Sequence, residues 1–283
     1  MAWNSRWIGN DSAVSWALDG NWDGGVPIPT ETADIDYGNS LITTGMDQSA
    51  VNTLTIRTGL QFGGCIGAAA SPLKTGTATT FEIKSPKAST IALWPSTCTE
   101  LKILSANTGT YAVHLVDGTV TTIYILAGHL FIGPGTVPTT VDKIFCYGGY
   151  AYISPTVHLD EVYCYGGHIK GLCQIDEQLY VGRAGVYEHA ADADPNITCT
   201  VNVMPGGRLL LNSEGAAVTK IIAWPGGVVD GTQVSYQNTI TNMDIHQGAT
   251  VTLNAGTVHT NDPVGFGAIN YQGPGTVTRT LPI

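Results

Sequence analysis

The residues best placed to do chemistry are acids that recur in register: Asp142, Asp160 and Glu177, each shortly ahead of a strand-like run, with Glu161 and Asp176 beside them. Glycoside hydrolysis uses two carboxylates about 5 to 9 Å apart, a separation that acids one or two layers apart on a repetitive β-structure would meet. The competing reading is turn chemistry, because Asp before a strand is ordinary and a repeat sets its turn residues in columns. Turn chemistry is the stronger reading, and the chain is not expected to be an enzyme.

Other chemistries have less to stand on. The seven histidines show no H-x-H or H-E-x-x-H spacing, and the six cysteines (65, 98, 146, 164, 173 and 199) include no C-x-x-C pair for zinc. Asp19-Gly-Asn-Trp-Asp-Gly24 matches the first half of a calcium loop, but Thr30 stands where the closing acid belongs, and Pro27 and Pro29 forbid the helix that should follow. Asx turns explain it better. Gly182-Arg-Ala-Gly185 and Gly273-Pro-Gly275 read as turns, since no helix follows to present an N-terminus to a phosphate. No G-x-S-x-G elbow occurs. No metal and no cofactor is expected.

The elements that must position these residues are repeats. Lys143-Ile-Phe-Cys-Tyr-Gly-Gly149, Glu161-Val-Tyr-Cys-Tyr-Gly-Gly167, Thr200-Val-Asn-Val-Met-Pro-Gly-Gly207 and Lys220-Ile-Ile-Ala-Trp-Pro-Gly-Gly227 are variants of one pattern. Gly128, Gly185 and Gly248 extend the series, so a strand followed by glycine recurs roughly every 18 to 22 residues. That is the length of one coil of a single-stranded parallel β-helix. A coil of this size cannot bury its apolar face alone, whereas stacked coils form inward ladders of like residues about 4.8 Å apart. Runs rich in Val, Ile, Thr and Tyr, broken by Gly and Pro and alternating with period two, exclude a helical solenoid.

Composition agrees with an all-β class: 35 glycines and 14 prolines in 283 residues, with only 12% charged. The 22 acids against 12 basic residues leave a net charge of −10, so nucleic acid is an improbable partner. No apolar run is long enough to span a membrane, and the first residues lack the basic and apolar regions of a secretory signal. The chain is therefore expected to fold in the cytoplasm.

Three segments are expected. Residues 1–45 fall outside the repeat and hold Trp3, Trp7, Trp16 and Trp22, which suits a cap over the open end of a solenoid or a docking element. Residues 46–269 carry the coils, with a looser, Ala/Thr/Ser/Lys-rich stretch at 67–87 read as an insertion or irregular coil. Residues 270–283 supply one closing strand.

Alternation assigns faces within the coils. With Ile123, Ile125 and Ala127 inward, Tyr124 and Leu126 point out. With Ile144, Cys146, Val162, Cys164, Leu179 and Val181 inward, Phe145, Tyr147, Tyr163, Tyr165 and Tyr180 point out. Tyr124, Phe145, Tyr163 and Tyr180 then form one outward column, and Tyr147 and Tyr165, with Trp224, a second. Strands apolar on both faces are normally buried on both, so the columns are expected to be a subunit interface, most simply around a threefold axis. A glycan platform is the lesser alternative. Cys146 and Cys164 fall on one inward ladder as free thiols, a bridge between coils being the minority reading.

Trp3-Asn4, Trp7-Ile-Gly9, Ser15-Trp16, Asn21-Trp22, Gly24-Gly-Val-Pro27 and Asp34-Ile-Asp36 together resemble the N-terminal segment of tailed-bacteriophage virion β-helix proteins, in which a Trp- and Asn-rich stretch leads into the first coil. The likeness covers about a sixth of the chain, together with its coil style. It implies a structural virion protein: a homotrimeric decoration or head-fibre protein on the outer surface of the phage head, bound to the major capsid protein through its Trp-rich end. A tail spike that binds or depolymerises host polysaccharide, using acids such as Asp160 and Glu177, is the alternative. A bacterial surface adhesin that binds host glycans through Tyr163 or Trp224 is the second.

Overall fold

A computed structural model of the chain describes all residues except 1–3, 10–14, 51–53, 109–111, 134–137, 191–195, 213–216, 233–237, 273–277 and 280–283. It is an all-β, parallel β-solenoid, with one 3-10 turn (Asp19–Asn21) as the helical element among the described residues. The chain divides into two compact units, 1–142 and 143–283.

In the first unit, strand Asn4–Trp7 pairs in parallel with Thr32–Gly38, which pairs with Leu54–Phe62, then Leu73–Ser85, Thr90–Ala106 and Thr119–Ile125. The ladder therefore starts inside the Trp-rich segment. Its tryptophans pack that segment's own interior: Trp7, Trp16 and Trp22 are at most 3% exposed. Trp22 meets Trp7 and Trp16 edge-on at 5.0 and 4.8 Å, and its indole N–H donates to the Trp16 carbonyl at 2.8 Å. Such edge-to-face packing holds the three indoles together as the interior of that segment. Trp3 lies outside the described residues. Asp19 uses its carboxylate to accept from the backbone N–H of Val26, which is turn chemistry.

The stretch 67–87 corrects the sequence expectation, because most of it is strand. Leu73–Ser85 is a strand of 13 residues paired along nearly its whole length with Thr90–Ala106. Its composition reads as loop, yet Leu73, Thr75, Ala78, Phe81, Ile83 and Ser85 are buried with strand-like alternation, and its threonines favour extended backbone.

In the second unit two faces of the coil stack in parallel. One runs through His158–Cys164, Ile175–Val181, Ile197–Val203, Ala217–Ala223 and Thr239–Ile245, beginning at the end of Thr140–Cys146. The other runs through Tyr150–Ile153, His168–Gly171, Val186–His189, Arg208–Leu211, Val228–Gly231, Thr250–Asn254 and Ile269–Gln272. Successive rungs Val162, Leu179, Val201, Ile221 and Met243 form one inward ladder; Cys164, Val181, Val203, Ala223 and Ile245 form the next. All ten are buried. Each large aliphatic rung contributes about 1.5–3 kcal/mol of apolar burial, before conformational entropy is set against it.

Glycine closes the turns in two ways. Gly206 follows Pro205 with φ +76°, the left-handed position of a type II turn. The next residue, Gly207, has no room for a side chain, since a Cβ there would lie 2.2 Å from the Val181 carbonyl oxygen of the neighbouring coil.

Candidate interaction face

Because the inward ladders are filled, the residues between them must face out. On the first face of the second unit this puts Phe145, Tyr163 and Tyr180 on successive rungs, followed by Asn202, Ile222 and Asp244. Phe145 stacks on Tyr163 with centroids 4.8 Å apart and planes 9° from parallel; Tyr163 stacks on Tyr180 at 6.1 Å and 30°. Tyr147 stacks on Tyr165 at 5.6 Å and 27°, and Tyr163 on Tyr165 at 6.2 Å and 25°. The two columns form one sheet of rings. Their spacing is that of the rungs, so the ring faces between rungs are spent on one another. Tyr147 is the most open, 49% exposed, while Phe145, Tyr163, Tyr165 and Tyr180 are half-buried.

A polar edge runs along this sheet. Tyr163 donates its hydroxyl to Glu161 at 2.6 Å, and Lys143 donates to the same carboxylate at 2.8 Å. Lys143 first and Tyr163 second hold the Glu161 carboxyl below its ordinary range, and the bond to Glu161 pushes the Tyr163 phenol up to about 12. The Tyr165 phenol is raised as well, chiefly by burial.

The second column continues further than expected. After Tyr165 the backbone reaches Gly182, whose place is filled by Met204; a Cβ on Gly182 would sit 3.2 Å from that of Met204. Arg183, non-glycine yet at φ +55°, places its guanidinium 5.9 Å from the Tyr165 ring centre. Beyond Met204 come Trp224 and His246, stacked at 4.3 Å and 9°. His246 was invisible as a member because a histidine after a strand reads as a turn residue. Its signal is the register that pairs Ala223 with Ile245.

Tyr124 belongs to the first unit. It points outward from Thr119–Ile125, as expected, and pairs with Lys102. That column runs Arg6, Asp34, Arg57, Glu82, Lys102 and Tyr124 along successive rungs, alternating in charge up to the tyrosine. Burial, then the neighbouring Asp36, raises the Asp34 carboxyl. Leu126 is exposed, as expected, but so is Ala127, expected inward: the strand ends at Ile125.

The recurring acids are not turn residues. Asp160 lies within His158–Cys164 and Asp176 and Glu177 within Ile175–Val181, where the ladder slips between Leu159 and Glu161. A β-bulge, and not a turn column, sets them side by side. Asp176 accepts from Gln174 and Thr198, and Glu177 is exposed. Asp142 is half-buried in the first unit.

The cysteines are free thiols, Cys65 half-buried and the other five buried. Cys146 and Cys164 stand on neighbouring rungs, each thiol also donating toward a turn carbonyl, that of Gly148 and that of Gly166. Among the described residues no group of three His, Cys, Asp or Glu is arranged to hold a metal. Among the described residues no helix is long and apolar enough to cross a membrane. Compared with protein-family models, curated proteins and solved structures, the chain matches none.

Proposed function

We propose that this chain is a structural β-solenoid that works by associating with copies of itself through the outward aromatic sheet of residues 145–180, most simply as a homotrimer. One observation carries the reading: five aromatic rings stand in two adjoining columns on the outward side of a parallel sheet whose inward side is already packed. A second copy laid on that face would remove their edges from water. Edge-on presentation separates this use from glycan recognition, which stacks a sugar against an open ring face. Here Tyr163, in the middle of the sheet, has both faces taken by Phe145 and Tyr180.

Lys143 and Tyr163 keep Glu161 ionised, which excludes it as the general acid of a glycosidase, a group that must hold its proton at working pH, and ties it to the edge of the ring sheet. The setting we propose, a decoration or fibre protein on the surface of a phage head held against the major capsid protein, rests on the resemblance carried by residues 1–45. With Trp7, Trp16 and Trp22 buried, capsid contact would fall to exposed residues of that segment such as Leu18 and Ile28.

The test is Tyr163→Asp, compared with the parent by sedimentation equilibrium. An added charge in the middle of the ring sheet should weaken association at least tenfold while leaving the circular-dichroism spectrum unchanged. Equal association by parent and variant, or binding of soluble polysaccharide lost with Tyr163, would overturn the reading in favour of a glycan-binding one.

A further inference from the structure

At the last coil of the second unit, Phe266 is 93% exposed, more than any other large hydrophobic among the described residues, and Val264 beside it is 58% exposed. The loop that carries it is not slack. Val264 and Gly265 pair with Asp244 and Ile245, and the Gly267 N–H donates to the Ile245 carbonyl at 3.0 Å. Both flanking residues have to be glycine: a Cβ on Gly265, at φ +114°, would lie 2.2 Å from the Ile245 carbonyl oxygen, and one on Gly267 would lie 2.1 Å from the Ile245 side chain. The backbone is thus pressed onto the coil below, and the phenyl ring between the two glycines is held out in water. An isolated exposed leucine needs no explanation, but a phenylalanine fixed in this way is a built feature.

Beside it is a hole. Asp244, Ile245, His246, Val264, Gly265 and Phe266 line a cavity of about 350 Å³. An enclosed apolar cavity of about 150 Å³ is enough to take up benzene, so this half-open recess has the volume for a phenyl ring. Phe266 forms part of the rim and, being exposed, does not fill the space. His246, which also lines it, is held flat against Trp224.

We infer that Phe266 of one copy inserts into the cavity at Asp244, Ile245 and His246 of another. Knob and hole lie side by side on one coil, so each copy offers both halves of the contact. Used head to tail, such a contact closes into a ring when the rotation between copies divides a full turn, a third of a turn giving a trimer. The inference deepens the proposed self-association and rests on it.

Replacing Phe266 with a photo-activatable benzophenone amino acid, in a mixture of 14N- and 15N-labelled full-length chains, tests the contact. Mixed-isotope cross-links joining position 266 to peptides that carry 244–246 would support it. Links within one chain, including to 273–283, or to a different surface of the second copy, would overturn it. Phe266→Ser measured by sedimentation should weaken association about tenfold or more. If Phe266→Ser associates like the parent while Tyr163→Asp does not, the knob fails and the aromatic-sheet reading stands; if the parent itself is a monomer, both fail.

Discussion

Glu161 and Tyr163 show how a single rung ties stability to pH. The Glu161 carboxyl is depressed, so its contribution is present above the ordinary carboxylate range and fades as pH falls through the depressed value. The Tyr163 phenol is raised to about 12, so its contribution is complete below about pH 10, the ordinary tyrosine value, and is lost as pH rises through about 12. Absorbance titration should show a tyrosine step near pH 12 that Tyr163→Phe removes, while Tyr187, raised well above the ordinary value by burial, ionises later still in both proteins. A parent whose tyrosines all titrate near the ordinary value would contradict the bond to Glu161.

A second prediction at this scale concerns Tyr187. It is fully buried, its hydroxyl has no hydrogen-bond partner among the described residues, and it fits only because Gly171, two residues beyond its rung partner Ile169 on the neighbouring strand, is a glycine, where a Cβ would lie 2.2 Å from that hydroxyl. Gly171→Ala should cost about 1–3 kcal/mol by overpacking. Tyr187→Phe should be neutral or stabilising by up to about 1 kcal/mol, since it removes an unpaired polar group. Combined, the two changes should be non-additive, with Tyr187→Phe relieving much of the alanine's cost in thermal unfolding.

The elements are coils of unequal length: 17 residues separate the paired Val162 and Leu179, 25 separate Ile56 and Phe81. That inequality decides what the sequence could reveal. Where coils keep nearly the same wording, as at Ile144-Phe-Cys-Tyr and Val162-Tyr-Cys-Tyr, alternation assigned the inward thiols and outward rings as the structure has them. Where coil length drifts, the columns cannot be lined up by counting, which is why the alternating charges Arg6, Asp34, Arg57, Glu82 and Lys102 went unseen. The stretch 67–87 was misjudged for another reason: Ala, Thr, Ser and Lys mark loops by composition, but in Leu73–Ser85 long parallel pairing overrides composition. The acids at 160 and 176–177 were placed in turns because a bulge inside a strand leaves no mark of its own on the sequence.

The turns carry their own test. Gly206→Ala forces a side chain into left-handed backbone, about 1–2 kcal/mol by itself, and also sets its Cβ 2.0 Å from the Arg183 carbonyl oxygen of the neighbouring coil. Gly207→Ala pushes a Cβ to 2.2 Å from the Val181 carbonyl oxygen without the left-handed strain and should cost less. Denaturant unfolding of the two variants checks the order; a Gly206→Ala cost equal to or below that of Gly207→Ala would mean that this corner is less tightly turned than the geometry states.

For the whole molecule, the proposal places a second copy on the outward sheet of aromatic rings of a low-charge β-solenoid. High salt should not dissolve the association, since the face is mainly aromatic, with charge beside it at the Lys143–Glu161 pair and at Arg183 next to Tyr165. The most direct test is the mass of the unmodified protein in solution, by light scattering over a wide concentration range and at low and high salt. The account predicts a multiple of the 29.7 kDa chain mass, three in its simplest form, at both ionic strengths. A single-chain mass at every concentration would contradict it.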